Sequence, residues 1–207
     1  MTTKYNDIDL SEITFSDIEY GDKFIYPQFD SHSILFETDT LFCPDPILIH
    51  KTKYTSHELF VSLSDPKMRD FFIDLDDILI KYGKINKSKM TNGNLNYKSI
   101  VRYDENDNEM INLKFIKSKT FNTMVFDKNK NLVKPDNYEK VFCGNIYVKM
   151  ILEFVSIWIK DNTYGCYLRL HQIKTVDTQN KIYSFNDSSE EYICDTEQFN
   201  NKASEFD

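Results

Sequence analysis

Asn145–Ile159 reads NIYVKMILEFVSIWI, and after Lys160-Asp161-Asn162-Thr163 the chain continues as Tyr164–Val176, YGCYLRLHQIKTV. In the first stretch Ile146, Val148, Met150, Leu152 and Phe154 share one parity, and Tyr147, Lys149, Ile151 and Glu153 share the other. A period of two is that of a β-strand with one buried face. In the second stretch Cys166, Leu168 and Leu170 alternate with Tyr167, Arg169 and His171. The short polar connector makes the pair a hairpin. A one-residue difference in loop length would change which faces align. The apolar run Ile146–Ile159 spans 14 residues and carries Lys149 and Glu153. A membrane helix needs about 20 apolar residues, so the pair reads as two long strands of a soluble, non-secreted protein. Met1–Leu10, with a Lys, two Asp and no apolar run, does not read as a signal peptide.

The rest of the chain repeats this bias. Thirty aromatics stand against a single Ala in 207 residues, and aromatics favour strands whereas Ala favours helices. Lys23–Phe29 and Ser33–Glu37 read as strands around a turn at Asp30-Ser31. A turn at Cys43–Pro46 precedes an apolar strand at Ile47–Ile49. Tyr97–Tyr103, Glu109–Ile116 and Phe121–Phe126 complete the set, with Asp127–Lys140 a polar loop. The predicted helix is 66–82. Ser64 or Asp65 caps it, and Pro66 suits its first turn. Met68, Phe71, Phe72, Leu75, Ile78, Leu79 and Tyr82 form its apolar stripe, and Gly83 stops it. Asp70, Asp74, Asp76 and Asp77 are expected on its solvated face, and Lys84–Asn96 in a polar loop. The expected fold is mainly β, an OB-like five-stranded barrel or compact β-barrel with additional strands and one inserted α-helix. Its domain spans 23–185, between an acidic arm at 1–22 and an acidic tail at 186–207.

Net charge is -8, but it is unevenly spread. Residues 1–50 carry two Lys against ten acidic side chains, and 181–207 carry two against seven. Residues 78–134 reverse the balance, with 12 basic and five acidic side chains. Nucleic acid responds to such local fields, because neutralised phosphates release counterions.

Catalytic motifs are missing. Gly21, Gly83, Gly93, Gly144 and Gly165 are isolated, and there is no Gly-rich phosphate loop or GxSxG elbow. His50 and His57 are not spaced as an HExxH pair, and Cys43, Cys143, Cys166 and Cys194 lack zinc-ligand spacing. No enzyme activity, metal or cofactor is expected.

The pattern that does carry chemistry is basic and aromatic. Single-stranded nucleic acid requires cations along its phosphates and flat rings against its bases. Lys84, Lys87, Lys89, Lys98, Arg102, Lys114, Lys117, Lys119, Lys149 and Arg169 are the expected phosphate contacts. Tyr97, Tyr103, Phe121, Tyr147 and Tyr167 are the expected stacking rings. The acidic helix face disfavours a duplex. The tail, with seven carboxylates and the ending Glu205-Phe206-Asp207, reads as a phosphate mimic for the protein's own groove. Displaced by DNA, it would dock a replication partner such as a polymerase, helicase or primase.

Lys119–Asp127 (KTFNTMVFD), Val141–Ile159 (VFCGNIYVKMILEFVSIWI) and Tyr164–Val176 together resemble the OB-fold single-stranded DNA-binding proteins of large DNA viruses and some tailed phages. Gly144, Ile146, Val148, Met150, Leu152, Trp158 and Gly165 stand where that pattern has them, and a tail ending in Phe206 is similar too. The resemblance covers residues 119–176 and the tail. The acidic first fifty residues depart from it. It implies a viral protein that coats single-stranded DNA without strong sequence preference during replication, recombination or repair, without a cofactor. It would act in the cytoplasm, or in a host nucleus or viral factory, and a homodimer is allowed. The alternative is a viral structural or protein-interaction β module that binds no nucleic acid.

Overall fold

The computed structural model describes residues 2–19, 21–51 and 55–177. The acidic tail and its Glu205, Phe206 and Asp207 lie outside the described residues.

The short strands β1 (Thr3–Lys4), β2 (Thr14–Phe15), β3 (Phe24–Ile25) and β4 (Pro27–Gln28) precede β5 (Ile34–Glu37), β6 (Leu41–Cys43), β7 (Leu48–Lys51) and β8 (Thr55–Ser62). Helix α1 (Pro66–Met90) follows, then β9 (Asn96–Lys98), β10 (Val101–Tyr103), β11 (Glu109–Phe115) and β12 (Met124–Phe126). A helical turn, α2 (Tyr138–Val141), leads to β13 (Ile146–Lys160) and β14 (Thr163–Val176). All strands but β2 and β4 belong to one 12-stranded sheet with the path β1-β5-β13-β6-β8-β11-β10; β14, on the other side of β13, also pairs β9 and β12. The result is a mainly-β, curled, OB-like half-barrel with one inserted helix, as the sequence leads one to expect. No helix among the described residues is long and apolar enough to cross a membrane.

The hairpin β13–β14 forms the spine. Its two-residue turn, Asp161-Asn162, has φ of 49° and 61°. Positive φ at both positions is the geometry whose twist matches the flanking strands. Register slips twice, leaving His171 and Val155 as extra residues on their strands. A bulge resets the alternation of the strand that carries it: on β13 the buried face runs Val148, Met150, Leu152, Phe154 and, past Val155, Ile157. Opposite them, Leu170 and Ile173 fill the same core, with Leu59 and Val61 of β8 and Ile111 and Leu113 of β11.

Helix α1 closes one side of this core with Met68, Phe71, Phe72, Leu75 and Leu79. Phe36 meets the rings of Phe71 and Phe72 at 5.2 and 6.4 Å. Asp65 is the N-cap, its Oδ1 accepting from the Met68 amide at 2.9 Å. The helix does not stop at Tyr82 but runs to Met90. Gly83 is therefore an interior residue, and a Cβ there would stand 2.1 Å from Tyr164 Oη. Glycine is used here for close packing rather than as a stop. The expected loop of Lys84–Asn96 is correspondingly short, because its first part is helix.

Three further expectations are revised. Asp76 is not on a solvated face but 6% exposed. Tyr97–Tyr103 is not one strand: it breaks into β9 and β10 at Ser99-Ile100, where the chain turns in to reach Asp76. Within residues 1–22, expected as an acidic arm, Tyr5, Ile8, Ile13 and Ile18 are buried in the core. Tyr5 lies edge-on to Phe71 at 5.6 Å. Burial and then its hydrogen bond to Asp39 push the Tyr5 hydroxyl pKa up to about 12.

Candidate nucleic-acid interface

Residues directly opposite in a sheet share a face, so the pairing of β13 with β14 lays out the outer surface of the hairpin. Tyr147 faces Val176, Lys149 faces Lys174, Ile151 faces Gln172, Glu153 faces Arg169, and past the second bulge Ser156, itself buried, faces Tyr167. From Tyr147 to Ser156 this row runs about 30 Å at roughly 3.3 Å per residue.

One end is aromatic and cationic. The Arg169 guanidinium lies 5.0 Å from the Phe121 ring centroid and 5.9 Å from that of Tyr167. Both rings stay accessible: Tyr167 is 37% exposed and Phe121 is half-buried. Glu153 Oε2 accepts from His171 Nε2 at 2.7 Å and pairs with Arg169 Nη1 at 3.3 Å. The guanidinium thus lies within cation–π reach of two rings, with a carboxylate beside one of its nitrogens.

The middle is cationic. Lys149 and Lys174 are directly opposed, and with Lys130, Phe126, Ile151 and Gln172 they line a groove of about 300 Å³. Like charges directly opposite across a sheet destabilise it. Only Glu37, 3.8 Å from Lys149 Nζ, offsets the pair by an ion pair among the described residues. At the other end Tyr147, 37% exposed, meets Phe42 with ring centroids 5.1 Å apart.

The structure therefore brings Phe121, Tyr147, Lys149, Tyr167 and Arg169 onto one ribbon. Lys117 and Lys119 are exposed on the corner beside Phe121, a corner fixed by the Ser118 hydroxyl donating to the Phe121 carbonyl at 2.8 Å. Lys98 is exposed on β9, alongside Gly165. Lys84, Lys87 and Lys89 are exposed on the last turns of α1, near the hairpin turn.

Four expected residues stand apart from the ribbon. Lys114 Nζ is 2.9 Å from Glu58 Oε1. Burial raises the Glu58 pKa, but its bonds to Lys114 and Asn112 outweigh that and leave it lowered. Arg102 and Tyr103 lie on β10, the end of the sheet path, and Tyr103 is 64% exposed. Tyr97 packs on Tyr164 at 5.0 Å and its hydroxyl donates to Asp76. Burial and then Asp76 push the Tyr97 pKa far upward, the mark of a structural hydroxyl.

Sequence reasoning missed Phe42, Lys130 and Lys174. Lys174 has the parity of the inward-facing Leu170, and only the bulge at His171, which the sequence pattern does not contain, turns it outward. Phe42 and Lys130 come from distant segments, and only the sheet topology places them here.

Together these features define a class: an OB-like half-barrel carrying an exposed ribbon of cations bracketed by rings. No protein-family model matches the chain, and no curated protein matches it in sequence. Among solved structures it is similar to the single-stranded DNA-binding protein of bacteriophage Enc34 in complex with ssDNA. Identity is 8%, covering 77% of this chain and 95% of that one, with a TM-score of 0.48. It is also similar to gp2.5, a single-stranded DNA-binding protein encoded by bacteriophage T7. There identity is 11%, covering 72% of this chain and 97% of that one, with a TM-score of 0.44. At such identities nothing passes from them to individual residues here.

Proposed function

We propose that this chain binds single-stranded DNA along the β13–β14 ribbon, coating it with little sequence preference during replication, recombination or repair. The observation that carries the reading is the opposed pair Lys149 and Lys174. Two cations held face to face cost the sheet stability, and a phosphate between them turns that cost into a charge-assisted contact. Exposed rings on either side supply the stacking surfaces, which accept any base because every base has a π face. The tolerance for sequence follows from that chemistry.

The test is a titration of fluorescently labelled oligo-dT, followed by anisotropy over a range of salt. Binding to the parent should weaken steeply with salt, with a slope of about -0.7 per neutralised phosphate for single strands. Lys149→Ala with Lys174→Ala should weaken binding and flatten the slope by about 1.4. A parent that binds no oligonucleotide, or a double variant with the parent's slope, rejects the reading.

A further inference from the structure

Beyond Tyr167 the outer face of the hairpin continues to the turn, and there it carries a row that crosses four strands. Phe24 of β3 pairs with Trp158 of β13, Trp158 with Gly165 of β14, and Gly165 with Lys98 of β9. Gly165 has a reason to be glycine. A Cβ there would stand 2.8 Å from Trp158 Cζ2, so the indole lies across the hairpin backbone. Its Nε1 donates to the Cys166 carbonyl at 3.3 Å, which fixes the ring. Trp158 is half-buried, whereas Phe24 beside it is 53% exposed.

These rings wall a groove of about 940 Å³ that also takes in Lys23, Asn92, Gly93 and Lys160. It has the size of a small-ligand site, roughly 300–1,000 Å³. Thr91 Oγ1 donates to Asn162 Oδ1 and accepts from the Gly93 amide at 3.1 Å. The Asn96 amide donates to the Asn162 carbonyl at 2.8 Å. The groove is thus preformed, its far wall stapled to the hairpin turn. Two carboxylates also line it, Asp22 and Asp161; Asp22 Oδ2 accepts from the Glu19 amide at 2.8 Å. An adjoining hollow shares Thr91, Asn92 and Gly93 with this groove and adds Lys84 and Lys87. The cations therefore outnumber the carboxylates.

We infer that the nucleic-acid track does not end at Tyr167 but continues over Trp158 and Phe24 into this groove, with Lys23, Lys98 and Lys160 meeting phosphates. The inference rests on the function proposed above. It adds a second stacking station at the hairpin turn, on the same sheet face and about 7 Å along the strand from the Ser156–Tyr167 pair. The occupant is a single strand because the platform is two flat rings beside spaced cations. It also gives Lys84 and Lys87 a place beside the track that the ribbon alone does not.

Trp158 is the sole tryptophan, so its emission reports on this station alone. Oligo-dT of about 15 nucleotides, near the upper site size of one OB fold, is titrated while label anisotropy and tryptophan emission are read together. Emission should be quenched in parallel with the anisotropy rise. Phe24→Ala with Lys160→Ala changes two exposed side chains, and thermal melting checks that it stays folded. It should weaken binding at least about fivefold, the loss of one stacked base. Trp158→Phe keeps a flat ring and should bind within about twofold of the parent, since stacking on an aromatic is what the station supplies. An anisotropy rise with unchanged emission, or parental affinity in the double variant, overturns the second station while leaving the ribbon standing. No anisotropy rise at all overturns both.

Discussion

The carboxylate of Asp76 accepts from Tyr97 Oη, Ser99 Oγ and the amides of Ile100 and Val101, the last two at 2.9 and 3.2 Å. It is the clasp that holds the β9–β10 segment to α1. Removing the acceptor leaves several inward-facing donors unpaired, each costing about 1–3 kcal/mol. Asp76→Ala should therefore lower unfolding free energy by at least about 3 kcal/mol, measured by urea denaturation. Tyr97→Phe removes one donor and leaves the acceptor satisfied, so its loss should be near 1 kcal/mol. Equal losses for the two variants would mean that the clasp is not centred on the carboxylate. Nothing in the sequence separates Asp76 from Asp74 and Asp77, because the partners that bury it lie more than twenty residues downstream. Helical spacing says which side a residue faces but not what loop folds over that side. His57 shows the same dependence on distant segments. It packs edge-on to Tyr138 at 5.2 Å and to Phe115 at 6.4 Å. Burial lowers its pKa below 6.5, Glu139 opposes that shift and Lys117 adds to it. The folded state binds the proton less well than the unfolded chain, so the stabilising contribution of neutral His57 is complete above 6.5. It is lost as pH falls through the lower folded value. Thermal melts from pH 7.5 to 5 should show a fall in Tm that His57→Gln reduces; identical profiles would exclude His57 as the source.

Among the elements, the hairpin was legible because its alternation is long and strong enough to specify a strand without help from elsewhere. Even its turn was set locally, by Asp161-Asn162 in the left-handed region. The two bulges were not legible. They record a negotiation between β13, its three partners β3, β5 and β6, and β14, and no single strand's pattern contains it. Thr55–Ser62 escaped notice because Leu59, Phe60 and Val61 are its only aliphatic or phenyl side chains. As a strand it draws its stability from pairing with β11 along Met110–Phe115. Helix α1 was read correctly at its start, where Asp65 and Pro66 act locally, and incorrectly at its end, where the packing of Tyr164 decides. That packing inverts a general rule. In a helix interior Gly→Ala gains about 1 kcal/mol. At Gly83 the new methyl would meet Tyr164, which is 3% exposed and whose hydroxyl donates to the Leu79 carbonyl at 3.3 Å. Gly83→Ala should instead cost about 1–3 kcal/mol as overpacking, read as a lowered Tm. A raised Tm would show that Tyr164 yields easily.

On the scale of the whole molecule, an acidic chain presents a local cationic track, and the track carries its own carboxylates. Glu37 sits by Lys149 and Glu153 by Arg169. Two roles for Glu153 lead to opposite expectations. If it serves mainly to position Arg169 between Phe121 and Tyr167, then neutralising it frees the guanidinium to wander and weakens binding. If it serves mainly as an internal anion that a phosphate must displace, then neutralising it removes a competitor. The geometry favours the second. Arg169 is also within cation–π reach of two rings, at 5.0 and 5.9 Å, so the carboxylate is not its sole restraint. His171, which shares that carboxylate at 2.7 Å, also touches the Phe121 ring, with centroids 4.8 Å apart. Glu153→Gln keeps the side chain's shape and a hydrogen-bond acceptor while deleting its charge. It should tighten oligo-dT binding at low salt and steepen the salt dependence by about 0.7, the increment for one more neutralised phosphate. The gain should fade at high salt, because it is electrostatic and screened. Weaker binding at every salt concentration would assign Glu153 to positioning instead, and the acidic residues of the track would then be part of its architecture rather than a brake on it.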